Sequence, residues 1–214
     1  MSDNETKEQR EQEIAAKGRP EPVRPNHDDW HTPPWLCSLA LDVFEGVPDL
    51  DPATSPAAWM KAHRELYEGG LEADWSEYES IWLNPPYSKP KPWLVKLDDW
   101  ARSDPGIRGS ELHGPRRCAL ALIKADPSTS VWRDVIWSRA GGGPDVFFLR
   151  RRVRFGGPLS QGKKDSGPTF ASAIVVYGPE IFKLRAQKVL HAGLAHCCPA
   201  RVSCPAPGGW TWPG

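Results

Sequence analysis

Four consecutive residues, Asn84-Pro85-Pro86-Tyr87, combine side chains and carbonyls that suit chemistry on a planar amine. The exocyclic nitrogen of adenine or cytosine is a poor nucleophile because its lone pair is delocalised into the ring. The Asn84 amide oxygen and the Pro85 carbonyl can accept its two hydrogens, which draws the nitrogen toward tetrahedral geometry and aims its lone pair at a donor methyl. Pro85 and Pro86 fix φ and lack N–H donors, so this carbonyl is held rigidly. Tyr87 offers a flat face to a base taken out of its stack.

The position of this motif in the chain favours the chemical interpretation over a purely structural turn capped by Asn84. Residues 79–83 are rich in β-branched and aromatic side chains, which predicts a buried strand that the paired prolines end. In a parallel α/β sheet, ligands bind beyond the carboxyl ends of the strands. The motif therefore occupies a place where catalytic residues are expected.

A methyl donor that carries ribose hydroxyls and an ammonium group needs a carboxylate near a strand end. Asp51 ends a short apolar segment and fits that place, and Asp74, just before the motif strand, is the second candidate. Thr32 and Pro33 can contribute a hydroxyl and a backbone wall to the same pocket. The structural alternatives are a turn for Asp51 and a helix cap for Thr32.

A strongly basic segment follows the strand that we predict at residues 145–149. Phosphate contacts from Arg and Lys position DNA without reading its sequence, and a glycine-rich loop can approach a groove closely. The alternative is a solvated basic loop. The predicted DNA-binding residues are Arg150, Arg151, Arg152, Arg154, Lys163 and Lys164.

The bulk properties of the chain limit its class. Its 214 residues fit one domain with extensions, and the basic and acidic residues number 27 each, so any DNA contact must be local. No apolar run is long enough to span a membrane and the start is charged, so we expect a cytoplasmic protein. Five cysteines argue against a disulfide framework. Because His196, Cys197, Cys198 and Cys204 lack zinc-knuckle spacing, we predict no metal site.

The elements that must position these residues alternate between strand and helix. Apolar spacing predicts helices at residues 35–44, 57–65, 92–101 and 130–138, the first of them capped by Thr32. The strands are predicted at residues 47–51, 79–83, 118–123, 145–149 and 171–177. This alternation implies a doubly wound, mostly parallel α/β sheet. The last strand is expected to be antiparallel because no helix precedes it.

With these motifs in order, the chain resembles the phage-type Dam DNA N6-adenine methyltransferases. The resemblance implies S-adenosylmethionine as the donor, adenine N6 as the acceptor, and a phage or prophage setting. We expect DNA, in its double-stranded form, as the partner. The resemblance also implies a Rossmann-like methyltransferase sheet. The chain then divides into a mobile charged arm (1–26), a catalytic domain (27–185) and a tail rich in Cys, Pro and Gly (186–214). The matching segments are Asp29-Trp30-His31-Thr32-Pro33, Leu50-Asp51-Pro52-Ala53, Gly70-Leu71 with Asp74-Trp75, Trp82-Leu83-Asn84-Pro85-Pro86-Tyr87-Ser88, and Arg152-Val153-Arg154-Phe155 with Ala171-Ser172.

The chain also departs from the pattern of methyltransferases at large. The glycine-rich donor loop expected after the first strand is absent, because Asp51 is followed by Pro52-Ala53-Thr54-Ser55-Pro56. The short stretch from Asp51 to Asn84 has room for few parallel crossovers, so we expect a trimmed sheet. The amine chemistry alone leaves cytosine N4, an RNA base or a glutamine amide open as the acceptor. A DNA-binding protein on an inactive methyltransferase scaffold is the alternative from another class.

Overall fold

The computed structural model describes residues 28, 30–104, 116–137, 143–149, 152–157 and 170–193, together with the backbone of 201–202. Several predictions concern residues outside these ranges. They are the charged arm, four of the six predicted DNA-binding residues (Arg150, Arg151, Lys163 and Lys164) and the histidine and cysteines of the tail.

The described residues form three α-helices, seven strands and one π-helical turn. The helices are α1 (Pro34–Phe44), α2 (Pro90–Arg102) and α3 (Glu180–Gly193), and the π-helical turn is Trp132–Ile136. The strands are β1 (Leu50–Asp51), β2 (Arg64–Glu65), β3 (Ser80–Leu83), β4 (Cys118–Lys124), β5 (Asp145–Phe148), β6 (Ser172–Tyr177) and β7 (Arg201–Val202).

The strands form one mixed sheet in the order β2-β1-β3-β4-β6-β5-β7. Neighbouring pairs from β2 to β4 are parallel, whereas β6 lies antiparallel between β4 and β5. Strands β1 to β5 therefore share one direction, which confirms the predicted α/β sheet with an antiparallel strand at residues 172–177. The chain moves from β1 to β2 on one side and then to β3 on the other, so the strand order reverses between β1 and β3.

Helices cover both faces of the sheet because successive residues of its central strand point to opposite sides. Leu120 and Leu122 of β4 belong to a core shared with α1 and α3. Ala121 and Ile123 face the other way, into a core shared with α2 and the π-helical turn. The faces are thus closed, and the carboxyl edge of the parallel strands is where a ligand can approach the sheet.

The sequence predicted a helix at residues 57–65, and this prediction was wrong. The segment consists of turns and bends that lead into β2. There, the Arg64 amide donates to the Asp49 carbonyl at 2.8 Å and the Leu66 amide donates to the Asp51 carbonyl at 2.9 Å. Pairing with β1 therefore overrode the local helical preference.

Two further details of the helices differ from expectation. Thr32 does not cap α1, because Pro33 occupies the N-cap position and no side chain caps the helix. Helix α3 was not predicted, and it continues past residue 185, where the sequence placed the end of the catalytic domain. None of the helices within the described ranges has the length and apolar character that a membrane crossing requires.

Candidate functional site

Asp51 and Asn84 lie at the reversal of strand order. Asp51 is the last residue of β1, and Asn84 directly follows β3, which pairs with β1 through Leu50 and Ile81. Both side chains line a cavity of about 400 Å³ at the carboxyl edge. In open α/β sheets, ligands bind in the crevice at this topological switch point. The two residues converge because parallel neighbours end at the same edge.

The Asn84 side chain has a fixed orientation. Its Nδ2 donates to the Trp30 backbone carbonyl at 2.8 Å. Its Oδ1 is buried and accepts no hydrogen bond from the described residues. A buried acceptor without a partner costs about 1–3 kcal/mol, so this oxygen is a site where a ligand's donor would be stabilising.

Asp51 is a buried carboxylate, with 2 % of its surface exposed. Its Oδ1 accepts a hydrogen bond from the Ala53 amide at 3.1 Å, as in an Asx turn. Burial nevertheless raises the pKa of Asp51 to about 7, because the charged form is poorly solvated there. A cationic or hydroxyl-bearing ligand would stabilise the ionised carboxylate, so Asp51 is both a turn residue and a candidate ligand-binding group.

One wall of the cavity is a turn that follows β2. Gly69 has φ of +65°, a conformation that other residues rarely adopt. A Cβ on Gly70 would lie 1.8 Å from the Pro52 carbonyl oxygen, so only glycine lets this turn pack against the loop after β1. Glu68 and Glu72 flank the glycines and add carboxylates to the lining.

Sequence reasoning assigned no role to Glu68, Glu72 or Trp93, although all three line this cavity. The paired glycines beside an acidic residue were the available signal, because close backbone approach is a common reason for glycine near a ligand. The glycines do not follow the first strand, where donor loops are expected. They follow the strand next to it.

The other predicted donor-site residues are distributed differently. Thr32 is buried and lines the cavity. Pro33, the N-cap of α1, is not among the lining residues. Asp74 is exposed, also outside the lining, and accepts hydrogen bonds from the Ser76 amide and hydroxyl, both at 2.9 Å. These two bonds lower the pKa of Asp74.

A second cavity, of about 470 Å³, lies on the β4 side of the Asn-Pro-Pro-Tyr motif, and Tyr87 and Lys124 are among the residues lining it. The Tyr87 ring is only 6 % exposed and packs edge-on against Phe155 and Phe170, with ring centroids 5.6 and 5.1 Å away. Its hydroxyl is buried without a hydrogen-bond partner among the described residues. Burial raises the pKa of Tyr87, so the phenol stays protonated. Tyr87 thus belongs to an aromatic cluster, and no open face of its ring points to solvent.

The π-helical turn braces this second cavity. The Trp132 indole N–H donates to the Lys124 carbonyl at 3.0 Å, which holds the end of β4. Lys91 of α2 forms an ion pair with Asp134 at 2.7 Å. Hydrogen bonds from Arg133 and Lys91 lower the pKa of Asp134 to about 2. Turns of this π-helical kind occur frequently at functional sites, so the place of this turn beside the second cavity marks that cavity as a candidate site.

The described part of the basic segment is extended. Arg152 and Arg154 are exposed, while Val153 and Phe155 between and after them are buried. The two guanidinium groups therefore point outward while Phe155 joins the aromatic cluster beside Tyr87. This arrangement places the positive charge of the segment on its solvent-exposed side. Among the described residues, no group of three or more His, Cys, Asp or Glu side chains is suited to hold a metal ion.

Comparison with known proteins agrees with this geometry. The chain matches the family described as DNA N-6-adenine-methyltransferase (Dam) over residues 21–182. A curated protein of Haemophilus phage HP1 (strain HP1c1), named DNA N-6-adenine-methyltransferase, is 31% identical over 109 residues. That alignment covers 50% of this chain and 56% of the relative, so it spans about half of each protein. Since the family match takes in the ends of both β1 and β3 and most of the sequence, the chain belongs to the DNA N-6-adenine-methyltransferase (Dam) family.

Proposed function

We propose that the protein transfers a methyl group from S-adenosylmethionine to the N6 amine of adenine in DNA. The observation that carries the proposal is the buried Oδ1 of Asn84, which has no partner among the described residues and stands at the carboxyl end of β3. The strand order, with its reversal between β1 and β3, supports a trimmed Rossmann-like methyltransferase sheet.

The first cavity fits S-adenosylmethionine by the chemistry of its lining. That molecule supplies an electrophilic methyl on a sulfonium, together with an ammonium group, ribose hydroxyls and a purine. The carboxylates of Asp51, Glu68 and Glu72 suit the cationic and hydroxyl groups, and the Trp93 indole suits the purine. Gly70 keeps the backbone close to the loop after β1, where a side chain would intrude. Thr32 adds a hydroxyl, and Pro33 and Asp74 are left with supporting roles outside the lining.

The catalytic work of this chain is to hold the acceptor amine. We assign acceptance of one amine hydrogen to Asn84 Oδ1 and of the other to the Pro85 carbonyl, held by Pro85 and Pro86. Drawing both hydrogens away from the ring plane localises the nitrogen lone pair. Neither group needs to remove a proton before the attack: as the N–CH3 bond forms, the C–S bond of the sulfonium breaks to leave a neutral thioether, and the methylated amine then releases one proton to solvent.

The second cavity is the proposed place of the target base. Base extrusion from duplex DNA costs a few kcal/mol, which contacts in the pocket must offset. Tyr87 is among the residues that line this cavity, and its hydroxyl supplies a buried polar group without a partner in the described structure. Because Asn84 lines the first cavity and is not among the residues lining the second, the amine of the base would have to reach across to Asn84.

DNA is held, in this proposal, by the basic segment. Arg152 and Arg154 are exposed, and we assign phosphate contacts to them. The same role is proposed for the four predicted basic residues outside the described ranges, Arg150, Arg151, Lys163 and Lys164. The likeness to a phage protein favours a reaction in the cytoplasm of a host cell.

The test is the identity of the methylated product. The protein is incubated with S-adenosylmethionine carrying a labelled methyl and with duplex DNA, and the DNA is digested to nucleosides. The expected product is N6-methyladenine. Labelled N4-methylcytosine without methyladenine would show that the acceptor is cytosine N4 and would refute adenine as the acceptor. Label in RNA or protein but not in DNA would refute DNA as the substrate, and no transfer to any of them would favour an inactive DNA-binding scaffold.

A further inference from the structure

The chain before α1 contacts the Asn-Pro-Pro-Tyr motif through Trp30 and the residue after the motif through Asp28. We call Asp28, Trp30 and His31 the strap. The Asp28 carboxylate accepts hydrogen bonds from the Ser88 amide at 2.8 Å and from the Ser88 hydroxyl at 2.5 Å. The Trp30 carbonyl accepts the bond from Asn84 Nδ2 at 2.8 Å. The strap is therefore hydrogen-bonded to the first residue of the motif, Asn84, and to Ser88, the residue that follows the motif.

A second pair of bonds ties the strap to the basic segment. The His31 amide donates to the Gly156 carbonyl at 3.2 Å, and the Gly156 amide donates to the His31 carbonyl at 2.8 Å. The Trp30 indole packs edge-on against Phe155, with ring centroids 5.8 Å apart. The strap is thus fixed at one end by Asp28 and at the other by the segment that carries Arg152 and Arg154.

We propose that Asp28 is a positioning residue, which by anchoring Ser88 fixes the Trp30 carbonyl and so makes the Asn84 amide present its oxygen to the acceptor amine. This inference rests on the proposed function. An asparagine amide has an acceptor on one side and a donor on the other. Rotated by half a turn, Asn84 would present N–H groups to the N–H groups of the amine and repel it.

The choice between these two orientations is made by the group opposite the amide nitrogen. A backbone carbonyl can only accept, so the Trp30 carbonyl selects the orientation in which Nδ2 faces it and Oδ1 lies on the other side of the amide. Trp30 lies in neither a helix nor a strand, and the peptide that carries its carbonyl is held on the carboxyl-terminal side by the His31 amide, which donates to the Gly156 carbonyl at 3.2 Å. The Trp30 amide donates to the Asp28 carbonyl at 2.9 Å, which makes a tight turn between the anchor and the carbonyl.

Asp28 is the side-chain anchor on the amino-terminal side of this turn. If its carboxylate is removed, Ser88 no longer holds the strap, and the Trp30 carbonyl loses its support on the amino-terminal side while the bonds between His31 and Gly156 remain. A displacement of about 1 Å in a catalytic group can cost about 100-fold in rate. We therefore expect Asp28→Ala to lower kcat by about 10- to 100-fold, with a smaller effect on the KM for DNA.

The experiment compares Asp28→Ala, Asp28→Asn and Ser88→Ala in the full chain. Asp28→Asn keeps an oxygen for the Ser88 amide and can donate to the Ser88 hydroxyl, so we expect it to restore most of the kcat lost in Asp28→Ala. Ser88→Ala removes only one of the two bonds and should lie between them. Ser103→Ala is the control for loss of a hydroxyl, because Ser103 donates its hydroxyl to the Trp100 carbonyl at 3.0 Å at the end of α2 and lines neither cavity. It should leave kcat unchanged.

A second readout does not depend on catalysis. In the ¹⁵N-labelled protein, the Asn84 side-chain amide protons should exchange slowly with water, and Asp28→Ala should speed this exchange at least about tenfold through opening of the strap. Slow exchange in Asp28→Ala would overturn the proposal even if the wild-type protein did not methylate DNA. Unchanged kcat in Asp28→Ala, or equal losses in Asp28→Ala and Asp28→Asn, would overturn it in an active enzyme.

Discussion

Replacement of Asn84 by alanine tests the catalytic assignment most directly. The change removes the buried Oδ1, which has no competing partner among the described residues, and with it one of the two acceptors proposed for the amine. Loss of a single preorganised polar contact to a transition state costs about 10²- to 10³-fold in kcat, or about 2.7–4 kcal/mol. Because the bond from Nδ2 to the Trp30 carbonyl holds the amide in place before any substrate arrives, we expect Asn84→Ala to fall within this range.

The same substitution also has a structural cost, which must be separated from the chemical one. It removes the bond from Nδ2 to the Trp30 carbonyl, and a typical intramolecular hydrogen bond contributes about 0.5–1.5 kcal/mol to folding. A loss of this size leaves a domain folded. Asn84→Asp separates the effects further, since it keeps an acceptor toward the cavity but sets a second oxygen against the Trp30 carbonyl. We expect it to be more active than Asn84→Ala and less active than the wild-type protein.

The assay is the initial rate of labelled methyl transfer to duplex DNA at saturating substrates, with donor affinity measured by calorimetry and folding by thermal denaturation. Asn84→Ala should bind S-adenosylmethionine within about threefold of the wild-type affinity, because cavity carboxylates and aromatic rings hold the donor in our proposal. A kcat for Asn84→Ala within about threefold of the wild-type value, with normal folding and donor binding, would refute the assignment of Oδ1 as a polarising group.

Three further predictions concern the donor cavity and the DNA contact. Burial raises the pKa of Asp51 from 3.8 to about 7. The contribution of this group to the free energy of unfolding is therefore fully present below pH 4 and is lost as pH rises toward 7. In urea unfolding, Asp51→Asn should flatten that part of the curve of stability against pH. Donor binding to the ionised Asp51 should strengthen as pH rises through about 7 and release a proton in calorimetry, and Asp51→Asn should abolish both effects. Gly70→Ala places a Cβ 1.8 Å from a carbonyl oxygen, so donor affinity should fall at least about tenfold by loss of cavity shape, and normal affinity would show that the turn is not part of the site. Replacing Arg152 and Arg154 by Ala should lower the slope of log DNA affinity against log salt concentration by up to about 0.9 per phosphate contact. The control is Arg116→Ala, which removes an exposed arginine before β4, at the opposite edge of the sheet, and should not change the slope. An unchanged slope in the double variant would show that the segment does not contact phosphates.

The sequence predicted the convergence of Asp51 and Asn84 because that convergence follows from a general property of parallel sheets. Each residue ends an apolar stretch, and parallel strands in one sheet bring their carboxyl ends to one edge. The long buried strands were equally readable, since β4 and β6 have continuous apolar character. In these cases the local apolar pattern predicts each strand and its end, and the geometry of a parallel sheet then brings the strand ends together.

Other features depend on contacts that no local pattern contains. Strand β2 consists of two residues and exists through its pairing with β1, so residues 57–65 were predicted as helix on local spacing alone. Tyr87 looks like an exposed stacking residue in the sequence, whereas Phe155 and Phe170, far along the chain, enclose its ring. The bond from Asn84 to the Trp30 carbonyl joins residues 54 positions apart. A backbone acceptor carries no residue-type signal, so only the fold reveals it.

The catalytic motif and the residue after it contribute to the lining of both cavities. Asn84 and Pro86 line the first cavity, while Tyr87 and Ser88 line the second. Donor and base can then approach from opposite sides and meet at one short, rigid segment, so neither has to pass the other. Such an arrangement transmits any displacement of the segment to both sides at once. It therefore needs braces that reach the motif from elsewhere in the chain, which Asp28 provides at Ser88 and Trp30 provides at Asn84.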